Sequence, residues 1–159
     1  MTGTLVGATS GGNTFTAKPN MRRIAIDGVK SEDVKGLTVI DSWSVSLATN
    51  LLEFTKDTIV MALGSASVTA QGTDYESIKG NNYIADSDYL QNIAYVGKIS
   101  GSSKPVIIII YNAMNKEGMS VNMKDADEGK LPVTFTGNLD SANLDAPPFE
   151  ILYPKVTTP

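Results

Sequence analysis

The sequence predicts a mainly β protein, a β-sandwich with one flanking α-helix around residues 50–63, and three observations lead there. Apolar and polar residues alternate at period two over 39–48 and again over 131–139, the pattern of half-buried strands. Clusters of Gly, Ser, Asn, Asp and Lys cut the C-terminal half into short segments at strand-like spacing. A helical stripe follows Asn50 and no other segment carries one as clearly. With 159 residues the chain has room for one compact core, since a chain of that size buries roughly 70% of its unfolded surface. The expected organisation is a flexible N-terminal arm over 1–20, a single sandwich domain over 21–153 and a short tail over 154–159.

Gly11-Gly12-Asn13 and Lys18-Pro19-Asn20 are turn signals, so residues 1–20 read as a loose arm with at most one short strand. Ile24 and Ile26 then alternate with Arg23 and Ala25 before Asp27-Gly28, a pair suited to a tight hairpin turn. In the next strand Val39, Trp43, Val45 and Leu47 share one face and Ser42, Ser44 and Ser46 the other. Asn50 with Glu53 resembles a capping box, and Leu51, Leu52, Thr55, Ile59, Ala62 and Leu63 form the stripe that Gly64 closes. Residues 65–91 scatter isolated apolar positions among Ser, Gly, Asn and Asp and read as a long excursion. Strands over 92–99, 105–112, 119–124 and 131–139 complete a meander, with linkers at 100–103, 116–118 and 125–129. In the last strand Leu131, Val133, Phe135 and Leu139 oppose Thr134, Thr136 and Asn138. Ile107, Ile108, Ile109 and Ile110 break the alternation and require cover on both faces. The sandwich core supplies one cover, and the helix or a second subunit the other.

Composition removes most chemistry. Cysteine is absent, which excludes disulfides and thiolate metal sites, and histidine, the usual general base and metal ligand near neutral pH, is absent too. A net charge of −4 and a pI near 4.7 oppose tight binding to phosphate. The longest apolar run, 106–111, is far short of the ~20 residues of a membrane span, and no charged start precedes an apolar stretch at the N-terminus. Neither Gly97-Lys98 nor Gly129-Lys130 has the first glycine of a phosphate loop. Asp86-Ser87-Asp88 and Asp125-Ala126-Asp127 open like calcium loops and then depart from the pattern at the fifth and sixth positions. The expectation is a protein that is not an enzyme and carries neither cofactor nor metal. Arg22-Arg23, with side chains on opposite faces of a strand, suits an interface or a guarded edge better than a phosphate clamp.

Three stretches carry a resemblance. The first runs through Met21-Arg22-Arg23-Ile24-Ala25-Ile26-Asp27-Gly28-Val29, Val34-Lys35-Gly36-Leu37 and the Trp43 strand into Asn50-Leu51-Leu52-Glu53-Phe54-Thr55-Lys56-Asp57. The others are Lys104-Pro105-Val106-Ile107-Ile108, and Leu131-Pro132-Val133-Thr134-Phe135-Thr136-Gly137 with Asp145-Ala146-Pro147-Pro148-Phe149-Glu150-Ile151. In order and texture the sequence resembles the major tail, or tail tube, proteins of long-tailed bacteriophages. The resemblance implies a virion structural protein, assembled in the host cytoplasm and located in the viral tail. It implies a β-sandwich of which six copies join their sheets into a ring, rings that stack into a tube, and a lumen that conducts double-stranded DNA during ejection without binding it specifically. Tape-measure, tail-tip and terminator proteins would be the other partners, and no membrane. Residues 1–20 and 65–91 are then candidates for ordering across a neighbour. Candidate inter-subunit contacts are Arg22, Arg23, Ile107, Ile108, Ile109, Ile110, Tyr75 and Tyr89. The resemblance implies an acidic or weakly charged lumen, because a polyanion moves freely past a surface that does not hold it. The face of Ser42, Ser44 and Ser46 or that of Thr134 and Thr136 offers a polar wall for it, and either would serve equally as an outer solvated face. Competing readings are the tube of a contractile tail or injection device, a monomeric β-sandwich binding module, and an enzyme using only Asp, Glu, Lys or Tyr, for instance a carboxylate-pair glycosidase.

Overall fold

The computed structural model describes residues 3–28, 34–121 and 129–155. It is mainly β, with antiparallel sheets and one α-helix. In chain order the elements are β1 (Thr14–Arg23), β2 (Thr38–Leu51), α1 (Lys56–Leu63), β3 (Ala66–Gln71), β4 (Tyr75–Gly80), a 3-10 turn (Asp86–Asp88), β5 (Leu90–Gly97), β6 (Val106–Asn115), β7 (Leu131–Thr136) and β8 (Phe149–Leu152).

The main sheet runs β1-β2-β7-β6-β5, with β8 also paired to β6, while β3 and β4 form a separate hairpin. β6 belongs to two layers. Its first half pairs with β5 on one side and β8 on the other, and its end, Met114 and Asn115, pairs with β7. The change happens at Asn112, the one described non-glycine residue with positive φ, at 46°. Asn tolerates this region better than bulkier residues, and here two amides hold it. The Asn138 side chain donates to the Asn112 carbonyl at 2.6 Å, and the Asn112 side chain donates to the Asn138 carbonyl at 3.4 Å.

The two layers close over one core. Val45, Leu47 and Leu51 of β2 and Leu131, Val133 and Phe135 of β7 meet Ile93, Ile110 and Ala113 from the other layer, with Ala62 of α1 at one end. Phe149 of β8 stacks at a tilt on Trp43 and Phe15, with ring centres 5.3 and 5.9 Å away, which joins β8 to the β1–β2 side. α1 packs at the Asn115 end of β6, where the Asn115 amide donates to the Ala62 carbonyl at 2.5 Å. The four isoleucines therefore lie between β5 and β8, with Ile109 and Ile110 buried and Ile107 and Ile108 half-buried.

Several elements differ from the sequence expectation. The helix begins at Lys56, because Asn50 and Leu51 still belong to β2. Its cap is Thr55, whose hydroxyl accepts from the Thr58 amide at 3.2 Å while the Thr58 hydroxyl accepts from the Thr55 amide at 2.8 Å. Glu53 instead receives the Ala8 amide at 3.0 Å. Of the stretch read as an arm, 14–20 are in β1 and residues 8–10 continue its lane. Ser10 donates to Asn50 and Leu52 to Ala8 after a kink at Gly11 and Gly12. The strand expected through Ile24 and Ile26 ends at Arg23. The 65–91 excursion contains the β3–β4 hairpin and the 3-10 turn before β5. β5 lies two residues earlier than expected, β6 runs on to Asn115, and β7 stops at Thr136. Residues 119–121 are not a strand, and the rest of the strand expected there, with Asp125 and Asp127, lies outside the described residues.

Candidate assembly surfaces

The register of the main sheet brings the two polar stretches together. Ser46 lies opposite Thr136 and Ala48 opposite Thr134, so Ser42, Ser44, Ser46, Thr134 and Thr136 occupy one continuous outer face. β1 extends it, since Thr14, Thr16, Lys18 and Asn20 lie opposite Ala48, Ser46, Ser44 and Ser42. The Asn20 amide donates to the Ser42 hydroxyl at 2.9 Å, and Lys18 is the only charged member of this set. Alternation causes the arrangement: each hydroxyl stands next to a residue such as Val45 or Phe135 that the core claims. The two walls that the sequence offered as alternatives are a single surface.

The apolar surfaces lie elsewhere. β7 pairs with β2 only from Ser46 onward, so the outer parts of β1 and β2 project as a two-stranded ribbon. Met21, Val39 and Ile40 are exposed on it, and Ile24 and Ile26 are exposed just past the end of β1. Arg22 is exposed and its Nε lies 3.2 Å from both Asp41 carboxylate oxygens, across the strand pair. Arg23 is half-buried, and among the described residues its Nε has no partner. The arginines do part to different environments, as neighbours on a strand must.

Tyr75, 77% exposed, stands at the tip of the β3–β4 hairpin, whereas Tyr89 is half-buried as the residue closing the 3-10 turn. The hairpin is tied to α1 by the Lys56–Glu76 ion pair at 3.1 Å. Tyr83, Ile84, Val96 and Tyr153 are exposed as well, although the sequence named none of them as a contact. For Tyr83 and Ile84 the signal was weak, because an isolated apolar residue in a polar segment carries no period.

Asp86 and Asp88 serve the turn, where the Asp88 carboxylate accepts the Ala85 amide at 2.9 Å. A shallow cleft of about 250 Å³ is lined by Gln91, Tyr111, Asn112, Asn138 and Asp140 among others. Its Asn112 and Asn138 amides are already spent on backbone carbonyls, which leaves the cleft few free donors to orient a ligand. Among the described residues no helix is long and apolar enough to cross a membrane. Comparison with family models, with curated proteins and with solved structures gave no match to the chain.

Proposed function

We propose that the chain is a structural subunit of a phage tail tube, building stacked rings whose lumen conducts DNA. The observation that carries this reading is the continuous face of Ser42, Ser44, Ser46, Thr134 and Thr136, wide, hydroxylated and almost without charge. Hydroxyls keep such a wall wet, and the scarcity of cations denies the polyanion the counterion-releasing contacts that would slow it. A net charge of −4 acts in the same direction. The resemblance in residue order adds support, and the exposed apolar ribbon is a surface that assembly would cover.

The experiment is light scattering over a concentration series, with the same sample viewed by negative-stain electron microscopy. Rings or hollow tubes with a central channel are expected. A chain that stays monomeric at high concentration and with tail-tip proteins added would sink the reading.

A further inference from the structure

We infer that the β1–β2 ribbon of one copy docks by strand addition on the free edge of β5 of a second copy, a head-to-tail contact. This rests on the assembly reading above and names the two surfaces that meet.

The ribbon has an open edge. Residues 38–44 of β2 have β1 on one side and, among the described residues, no strand on the other. A two-stranded ribbon is marginal in water by itself, and this one exposes Met21, Val39 and Ile40.

β5 is the complementary surface. Among the described residues it ends the strand order, and its eight residues, Leu90–Gly97, include no charge and no proline. Tyr95 and Val96 are exposed on it, Val96 to 60%. Sheet edges are normally protected by charge, proline or shortness. β1 has Lys18, Pro19 and Arg22, and β8 has four residues with Glu150 among them. β5 alone of these edges has none of these devices.

The lengths agree, since seven and eight extended residues span about 23 and 26 Å at ~3.3 Å each. Charge does not oppose the contact, since Arg22 is already paired with Asp41 on the ribbon and β5 itself carries no charge. Two unlike, mutually complementary surfaces on one chain define a heterologous interface, the kind from which rings are made.

The chain has no cysteine, so introduced ones report without background. Ile40→Cys and Val96→Cys copies, mixed and mildly oxidised, should form a disulfide-linked pair at least tenfold faster than either copy with itself. The chain carrying both substitutions should give a ladder of oligomers, and Thr16→Cys in place of Ile40→Cys should give none. Val96→Cys copies that link to one another as fast as to Ile40→Cys copies would overturn the contact in favour of a two-fold β5–β5 pair. Rings in the microscope without the Ile40–Val96 disulfide would sink this contact and leave the tube reading standing. A ladder without rings would do the reverse.

Discussion

Single residues fix the joints of this fold. Gly64 closes α1 at φ +79°, and a Cβ built there would run into the Asn115 carbonyl. Left-handed strain in a non-glycine residue costs on the order of 1–3 kcal/mol before any clash is counted. Gly64→Ala should therefore destabilise the protein by about 2 kcal/mol or more in urea denaturation, and a loss below about 0.5 kcal/mol would refute the crowding argument. Tyr111 offers a test by pH. Its hydroxyl donates to Glu150 at 2.7 Å, and that bond, followed by burial and the Glu150 charge, raises its pKa above the usual phenol value. The group is protonated in both folded and unfolded chains below about pH 10, so its contribution to stability is complete there. It is lost as pH rises through the higher folded-state value. An ultraviolet titration of the six tyrosines should show a late component that Tyr111→Phe removes.

At the scale of elements, α1 is short, and its start depends on Thr58. That residue is 2% exposed, and its hydroxyl donates to the Glu53 carbonyl at 2.8 Å while accepting the Thr55 amide. Thr58→Val keeps the volume and removes both bonds, so a loss of roughly 1–2 kcal/mol is expected. Thermal melting will measure it, and an unchanged midpoint would show that the cap is dispensable. β2 and β7 were legible in the sequence because one face of each enters the core, which writes alternation into Val45, Leu47, Val133 and Phe135. The β3–β4 hairpin was not legible for the opposite reason. Val68 and Tyr75 are exposed and no core face selects their spacing, so only cross-strand hydrogen bonding defines the element. The early helix start had a similar origin, since Asn50 and Glu53 satisfy the spacing of a capping box while Leu51 is held at the end of β2. At the candidate site, each polar wall could be read from its own strand. Their union could not, because it depends on the long-range pairing of Ser46 with Thr136.

At the scale of the whole molecule, the division of surfaces matters more than any one side chain. Hydroxyls occupy the outer face of β1, β2 and β7, and apolar residues gather on the ribbon and β5. If the chain is the tube subunit proposed above, lysines on the hydroxyl face should alter transport and spare folding. Ser42→Lys, at an exposed position opposite the uncharged Asn20, is expected to leave the far-ultraviolet circular dichroism and the melting midpoint close to those of the parent. DNA release from tails built with this chain should become slower and more sensitive to salt. Ejection kinetics indistinguishable from the parent would remove this face from the lumen.

The place of β7 also bears on when the chain can fold. It lies between β2 and β6 although it is the next-to-last strand, and its register with β2 spans Ser46 to Thr136. The β1–β2 and β5–β6 pairs close over shorter separations and can form while synthesis continues. The sheet that joins them waits for β7, several seconds of translation after β2 at about 5–20 residues per second. A chain truncated before Leu131 is accordingly expected to lack a cooperative unfolding transition. A nascent chain would thus gain its core only once β7 has been made, which delays encounters between neighbours on one message until each has that core.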